Sequence, residues 1–74
     1  MYTVYSKPNC PDCNTVKKLL QNYEEIDITQ SPEALQRLSE LGLRQLPQVF
    51  LDGKLIGNLL KTKQHLDSQI DVTF

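Results

Sequence analysis

Cys10-Pro11-Asp12-Cys13 places two thiols three residues apart, with a proline directly after the first. Proline suits the first helical position, where its fixed φ fits the helix and its missing N–H is not needed. The stretch therefore reads as a helix start with Cys10 at the N-cap. The Cys10 sulfur then faces unpaired backbone N–H groups and the positive end of the helix dipole, which both favour thiolate over thiol. Cys13, one turn on, is placed to attack a mixed disulfide formed at Cys10, with no long loop to close.

Working outward, Met1–Tyr5 mixes β-branched and aromatic residues and stops at Ser6-Lys7-Pro8-Asn9, a strand running into a loop. From Pro11 to about Asn22, Cys13, Val16, Leu19 and Leu20 recur at helical spacing, leaving Lys17 and Lys18 on a solvated face. Tyr23–Ile28 reads as a second strand with Ile26 and Ile28 on one side and Asp27 on the other. Ser31-Pro32-Glu33 supplies an N-cap, a first-turn proline and a first-turn acid for a second helix carrying Leu35, Leu38 and Leu41, and Gly42 stops it. After Pro47, the apolar run Val49-Phe50-Leu51, the turn Asp52-Gly53 and Leu55-Ile56 form a β-hairpin. Asn58 caps a last helix with Leu59, Leu66 and Ile70 near one face. Tyr5 and Phe50 read as core, and His65 as an ordinary surface histidine.

The order βαβαββα implies an α/β fold. A parallel first pair of strands joins an antiparallel hairpin in one four-stranded mixed sheet, with three helices over its two faces. In such a sheet Cys10 lies at the carboxyl end of the first strand, where α/β folds place ligands.

A chain of 74 residues has room for a single domain, 1–74, with a modest core, and a monomer is expected. Eight basic against nine acidic residues, mixed along the chain, give a net charge of -1. That provides no basic field to neutralise a phosphate backbone, so nucleic acid is not an expected partner. No apolar run approaches the roughly 20 residues that a membrane helix needs, and the N-terminus begins as a strand rather than a signal peptide. The expected compartment is the cytoplasm, where a bridge this short is no structural staple and the two cysteines are better explained by chemistry. A structural zinc needs four ligands, and only His65 joins the cysteine pair, so no metal site is expected within one chain.

Two stretches, Tyr5-Ser6-Lys7-Pro8-Asn9-Cys10-Pro11-Asp12-Cys13 and Leu46-Pro47-Gln48-Val49-Phe50-Leu51-Asp52-Gly53-Lys54-Leu55-Ile56-Gly57, together resemble the glutaredoxins, small members of the thioredoxin-like superfamily. The resemblance implies a thiol–disulfide oxidoreductase in which Cys10 attacks and Cys13 resolves. It implies a cis proline at Pro47 beside the disulfide, with the backbone of Leu46 pairing to a bound peptide or glutathione. It further implies that Lys7 receives a glutathione carboxylate, and that no cofactor is tightly bound while glutathione serves as co-substrate. Disulfide-containing proteins, ribonucleotide reductase among them, are the implied clients. Arg44 and Gln45, just before Leu46, are placed to contact a peptide or carboxylate.

Two departures from the family pattern bear on the reductant. Gly57 is followed by Asn58, Leu59, Leu60 and Lys61 where the family usually has small and then acidic residues, so no carboxylate stands ready for the glutathione ammonium. The N–H groups at the start of the last helix, around Asn58 and Leu59, still suit a carboxylate. Asp12 replaces a common aromatic residue, and its charge opposes ionisation of Cys10. A thioredoxin-reductase-like partner donating electrons through this chain to ribonucleotide reductase is therefore an alternative. Another is a metal-binding or iron–sulfur module in which two chains pool their Cys10 residues.

Overall fold

In the computed structural model, which describes residues 1–69, seven elements follow one another: β1 Tyr2–Ser6, α1 Pro11–Leu19, β2 Tyr23–Asp27, α2 Pro32–Glu40, β3 Gln48–Leu51, β4 Lys54–Gly57 and α3 Leu59–Gln69. The sheet order is β2-β1-β3-β4. β1 runs parallel to β2 with Val4 opposite Glu25, and antiparallel to β3 with Val4 opposite Val49. This is the mixed sheet that the element order implies, and the thioredoxin-like architecture that the resemblance implies.

Alternation along β1 and β3 sends successive side chains to opposite faces of the sheet. Val4 and Val49 meet Val16 and Leu20 of the α1 segment, with Leu59 and Leu66 of α3 packed against them. Tyr5 and Phe50 meet Ala34 and Leu38 of α2 on the other face. Tyr5 and Phe50 are both buried, with their rings edge to face at 5.3 Å, as core residues should be. Asp52 (φ 50) and Gly53 (φ 86) form the tight turn of the hairpin. Between Val49 and Phe50 the register with β4 shifts, and Ile56, the extra residue, packs on the α1 and α3 side.

Several boundaries and faces differ from the periodicity reading. The first strand extends through Ser6, and α1 ends at Leu19 instead of Asn22, because Leu20 turns extended (φ -97, ψ 131) and drops into the core. β2 stops at Asp27, although the Ile28 N–H still donates to the Ser6 carbonyl at 2.9 Å. On α2 the inward residues are Ala34 and Leu38, one turn apart, while Leu35 and Leu41 stay about half exposed (48% and 52%) on the flanks of a helix that covers one sheet face alone. Lys17 is not simply solvated, since it pairs with Glu25 at 2.8 Å. His65 is half-buried, with its ring edge-on to Tyr2 and Nε2 3.3 Å from the tyrosine hydroxyl. Ile70, expected on the inner face of the last helix, lies outside the described residues. Among the described residues no helix is long and apolar enough to cross a membrane.

Candidate active site

Strand β1 is one of the sheet's two central strands, and the loop Lys7–Asn9 carries the chain from its end to α1, with Asn9 in the left-handed region (φ 59). Cys10 has the extended backbone of an N-cap (φ -113, ψ 101), and Pro11 opens the helix. The Cys13 N–H donates to Cys10 Sγ at 3.2 Å, and the Asn14 N–H donates to the Cys10 carbonyl at 3.1 Å. A sulfur thus occupies the place of the capping oxygen at a helix N-terminus. Cys10 and Cys13 are joined as a disulfide, with their Cα atoms 5.2 Å apart. Cys10 is 7% exposed and Cys13 is fully buried, so access to the pair is through Cys10.

Beside it runs the loop before β3. The Leu46–Pro47 peptide bond is cis, Pro47 is buried, and the Leu46 carbonyl oxygen lies 3.9 Å from Cys10 Sγ. Gln48, which sequence reasoning passed over, is buried and donates from Nε2 to the Gln45 carbonyl at 2.8 Å, closing the loop on itself. A polar residue starting an apolar strand was the available signal.

Two grooves flank this loop, and Gln45 and Leu46 line both. One also has Asp12, Pro47, Asn58, Leu59, Leu60 and Lys63 along it. The other runs from Lys7 between Ile28, Leu43 and Arg44 to Leu35, Leu38 and Ser39 of α2. The residues singled out from the sequence therefore fall into two groups on either side of Gln45 and Leu46: Asp12, Pro47, Asn58 and Leu59 toward α3, Lys7 and Arg44 toward α2. Pro11 is exposed in the first turn of α1. Leu60 and Lys63 join the first group without having been singled out. At the start of α3, Asn58 Oδ1 accepts from the Lys61 N–H at 3.1 Å, and no acid stands in the first turn. Gly57 (φ 129) leads into that helix so closely that a Cβ there would fall 2.8 Å from Lys61 Cβ.

Behind the disulfide, three elements are tied through one carboxylate. Glu25 Oε2 accepts from the buried Ser6 hydroxyl at 2.7 Å and from Lys17 Nζ at 2.8 Å. The hydrogen bond from Lys17, then that from Ser6, hold the Glu25 carboxyl below its ordinary value of 4.5. The hydrogen bond to Glu25 raises Lys17 above 10.5. None of the three was singled out from the sequence. The parallel pairing of Val4 with Glu25, which puts both on the α1 side of the sheet, is the signal that finds them.

The arrangement, a cysteine at a helix start with a fully buried partner cysteine one turn on, is fitted to exchange disulfides. Comparison with known proteins agrees. The glutaredoxin family model matches residues 2–56. The glutaredoxin-like protein NrdH of Lactococcus lactis subsp. cremoris is 43% identical over 56 residues, covering 70% of this chain and 78% of that protein. Among solved structures, a buckwheat glutaredoxin in complex with glutathione superposes with a TM-score of 0.75 at 33% identity, covering 93% of this chain and 71% of that one. The NrdH-redoxin of Escherichia coli, described as glutaredoxin-like with a thioredoxin-like activity profile, superposes with a TM-score of 0.74 at 25% identity, covering 86% and 93%.

Proposed function

From the premise that this chain belongs to the glutaredoxin family and is a thiol–disulfide oxidoreductase, we propose that Cys10 is its attacking sulfur, Cys13 its resolving sulfur, and a thioredoxin-reductase-like protein its reductant. The observation that carries the assignment is the Cys13 N–H donating to the sulfur of the less buried cysteine, Cys10 Sγ. A hydrogen bond to the charged form, at a helix N-terminus, favours the thiolate. In the reduced protein the Cys10 thiolate attacks one sulfur of a client disulfide, and the other client sulfur leaves as a thiolate that takes up a proton. Cys13, deprotonated, then attacks Cys10 Sγ in the mixed disulfide and displaces the second client thiolate. The client has gained two electrons and two protons, and the Cys10–Cys13 disulfide has formed. Ribonucleotide reductase fits as one client by resemblance, and the cytoplasm as the compartment of the reaction.

The choice of reductant rests on the α3 groove. Its N-terminus has no acid to pair with the ammonium of glutathione, Lys63 lines it, and Asn58 already occupies the Lys61 N–H. The thioredoxin-like activity profile described for the Escherichia coli NrdH-redoxin supports the same reading. Glutathione as reductant is the second reading, favoured by the exposed Lys7 and by the likeness to a glutaredoxin that binds glutathione. Turnover of a small disulfide, with thioredoxin reductase in one arm and glutathione plus glutathione reductase in the other, separates them. Turnover in the first arm alone is expected. Turnover in the second alone overturns the choice of reductant and leaves the exchange chemistry standing.

A further inference from the structure

Gln48 opens β3 ahead of Val49 and Phe50, and at 5% exposed it is as buried as Phe50. Its main chain is held by β1, where it pairs with Tyr5. Its amide is satisfied at one end alone: Nε2 donates to the Gln45 carbonyl at 2.8 Å, while Oε1 is buried with no partner among the described residues. Turning the amide over brings no relief, because a carbonyl accepts only from its NH2 end. An unpaired buried acceptor destabilises, and a methionine of similar length would fill the space without one. Packing therefore gives no reason for an amide here, and the reason lies in the one bond it makes. That bond spans Leu46 and Pro47. Leu46 borders both grooves, and its carbonyl oxygen lies 3.9 Å from Cys10 Sγ.

We propose that Gln48 is a positioning residue for the exchange reaction: its amide braces the main chain of Leu46 to receive the main chain of a polypeptide bonded to Cys10, and so favours peptide disulfides over small ones. The inference rests on Cys10 as the attacking sulfur. β1 fixes one end of the brace through the pairing of Tyr5 with Gln48, and the side chain carries that rigidity back to Gln45. Without the amide, a polypeptide has to order the loop as it binds, and its hold weakens by that amount. The sulfur itself is untouched, since Cys10 is held by the Cys13 and Asn14 N–H groups of α1. A disulfide with no main chain to lay beside Leu46 gains nothing from the brace.

The test needs no reductase. Protein reduced beforehand and freed of reductant is mixed with either of two disulfides, and the second-order rate constants are measured. One disulfide is a tripeptide dimer bridged through its central cysteines, uncharged and blocked at both ends. The other is oxidised mercaptoethanol, which has no main chain. Gln48→Met should lower the peptide constant roughly three- to tenfold, as the loss of one hydrogen bond allows, and leave the other unchanged. Its urea midpoint should be no lower than the parent's, because the unpaired oxygen is gone. Gln48→Leu, judged by the same ratio of the two constants, decides the matter if the methionine variant does not fold. A ratio that neither variant alters overturns the positioning role, wherever the midpoint falls, and leaves exchange at Cys10 standing. A parent that reduces neither disulfide, or a Cys10→Ser variant that reduces both, overturns the exchange reading and the brace with it.

Discussion

At Cys10 the capping role and the chemical role of one side chain can be separated. Serine is a favoured N-cap, so Cys10→Ser should keep the start of α1 and fold as the parent does, yet lose disulfide exchange altogether. With Cys10 attacking as proposed, Cys13→Ser removes the resolving sulfur, and mass spectrometry should find a one-to-one adduct with a client peptide. An active Cys10→Ser beside an inert Cys13→Ser would reverse the two roles. Gly57 makes a different demand, through its φ of 129 and the closeness of Lys61. Gly57→Ala should destabilise the protein by more than about 1 kcal/mol in urea unfolding, since alanine where φ is positive is strained even before the contact with Lys61 is counted. These positions were legible in the sequence because each announces itself locally: a proline after a cysteine, or a glycine before a capping asparagine. Gln48 and the Ser6–Glu25–Lys17 cluster were not. Gln48 closes its own loop onto the Gln45 carbonyl and shows in the sequence only as a polar residue opening an apolar strand, whereas Ser6, Glu25 and Lys17 come from three elements that meet only once β2 and α1 are placed against β1.

The elements carry their own stabilities. Asn58 caps α3 through its side-chain oxygen, and Asn58→Ala should cost about 1 kcal/mol, read as a lower urea midpoint. The tie between α1 and β2 depends on pH. The folded Glu25 carboxyl is lowered below 4.5, so its contribution is fully present above that value and is lost as pH falls through the lowered one. Lys17 is raised above 10.5, so its share is present below 10.5 and lost as pH climbs through the raised value. With Glu25 40% exposed, the pair is worth at most about 1 kcal/mol. Unfolding of Glu25→Gln and its parent should therefore differ near neutrality and converge in acid; a gap that persists in acid would assign the difference to packing. Helix and strand types could be read from periodicity and caps, but the ends could not. Leu20 and Leu41 fall at comparable points in their apolar patterns, yet one is buried and the other exposed, because α1 shares its sheet face with α3 while α2 has its face to itself.

At the scale of the whole molecule, two small clusters on opposite sides of one sheet are all the core there is among the described residues. A chain of 74 residues typically has about 4–11 kcal/mol of stability. Leu38, 2% exposed, anchors the α2 side. Leu38→Ala should cost about 2–5 kcal/mol, a large share of that total, and move the urea midpoint with little change in slope. Leu46 stands where the two grooves meet, its carbonyl oxygen 3.9 Å from the sulfur of Cys10, the less buried of the two cysteines. Client and reductant must each reach that sulfur past the same residue, so the molecule serves them in turn and never together. Steady-state rates should then trace parallel lines in double-reciprocal plots, and an excess of either partner should slow the cycle by occupying the form meant for the other.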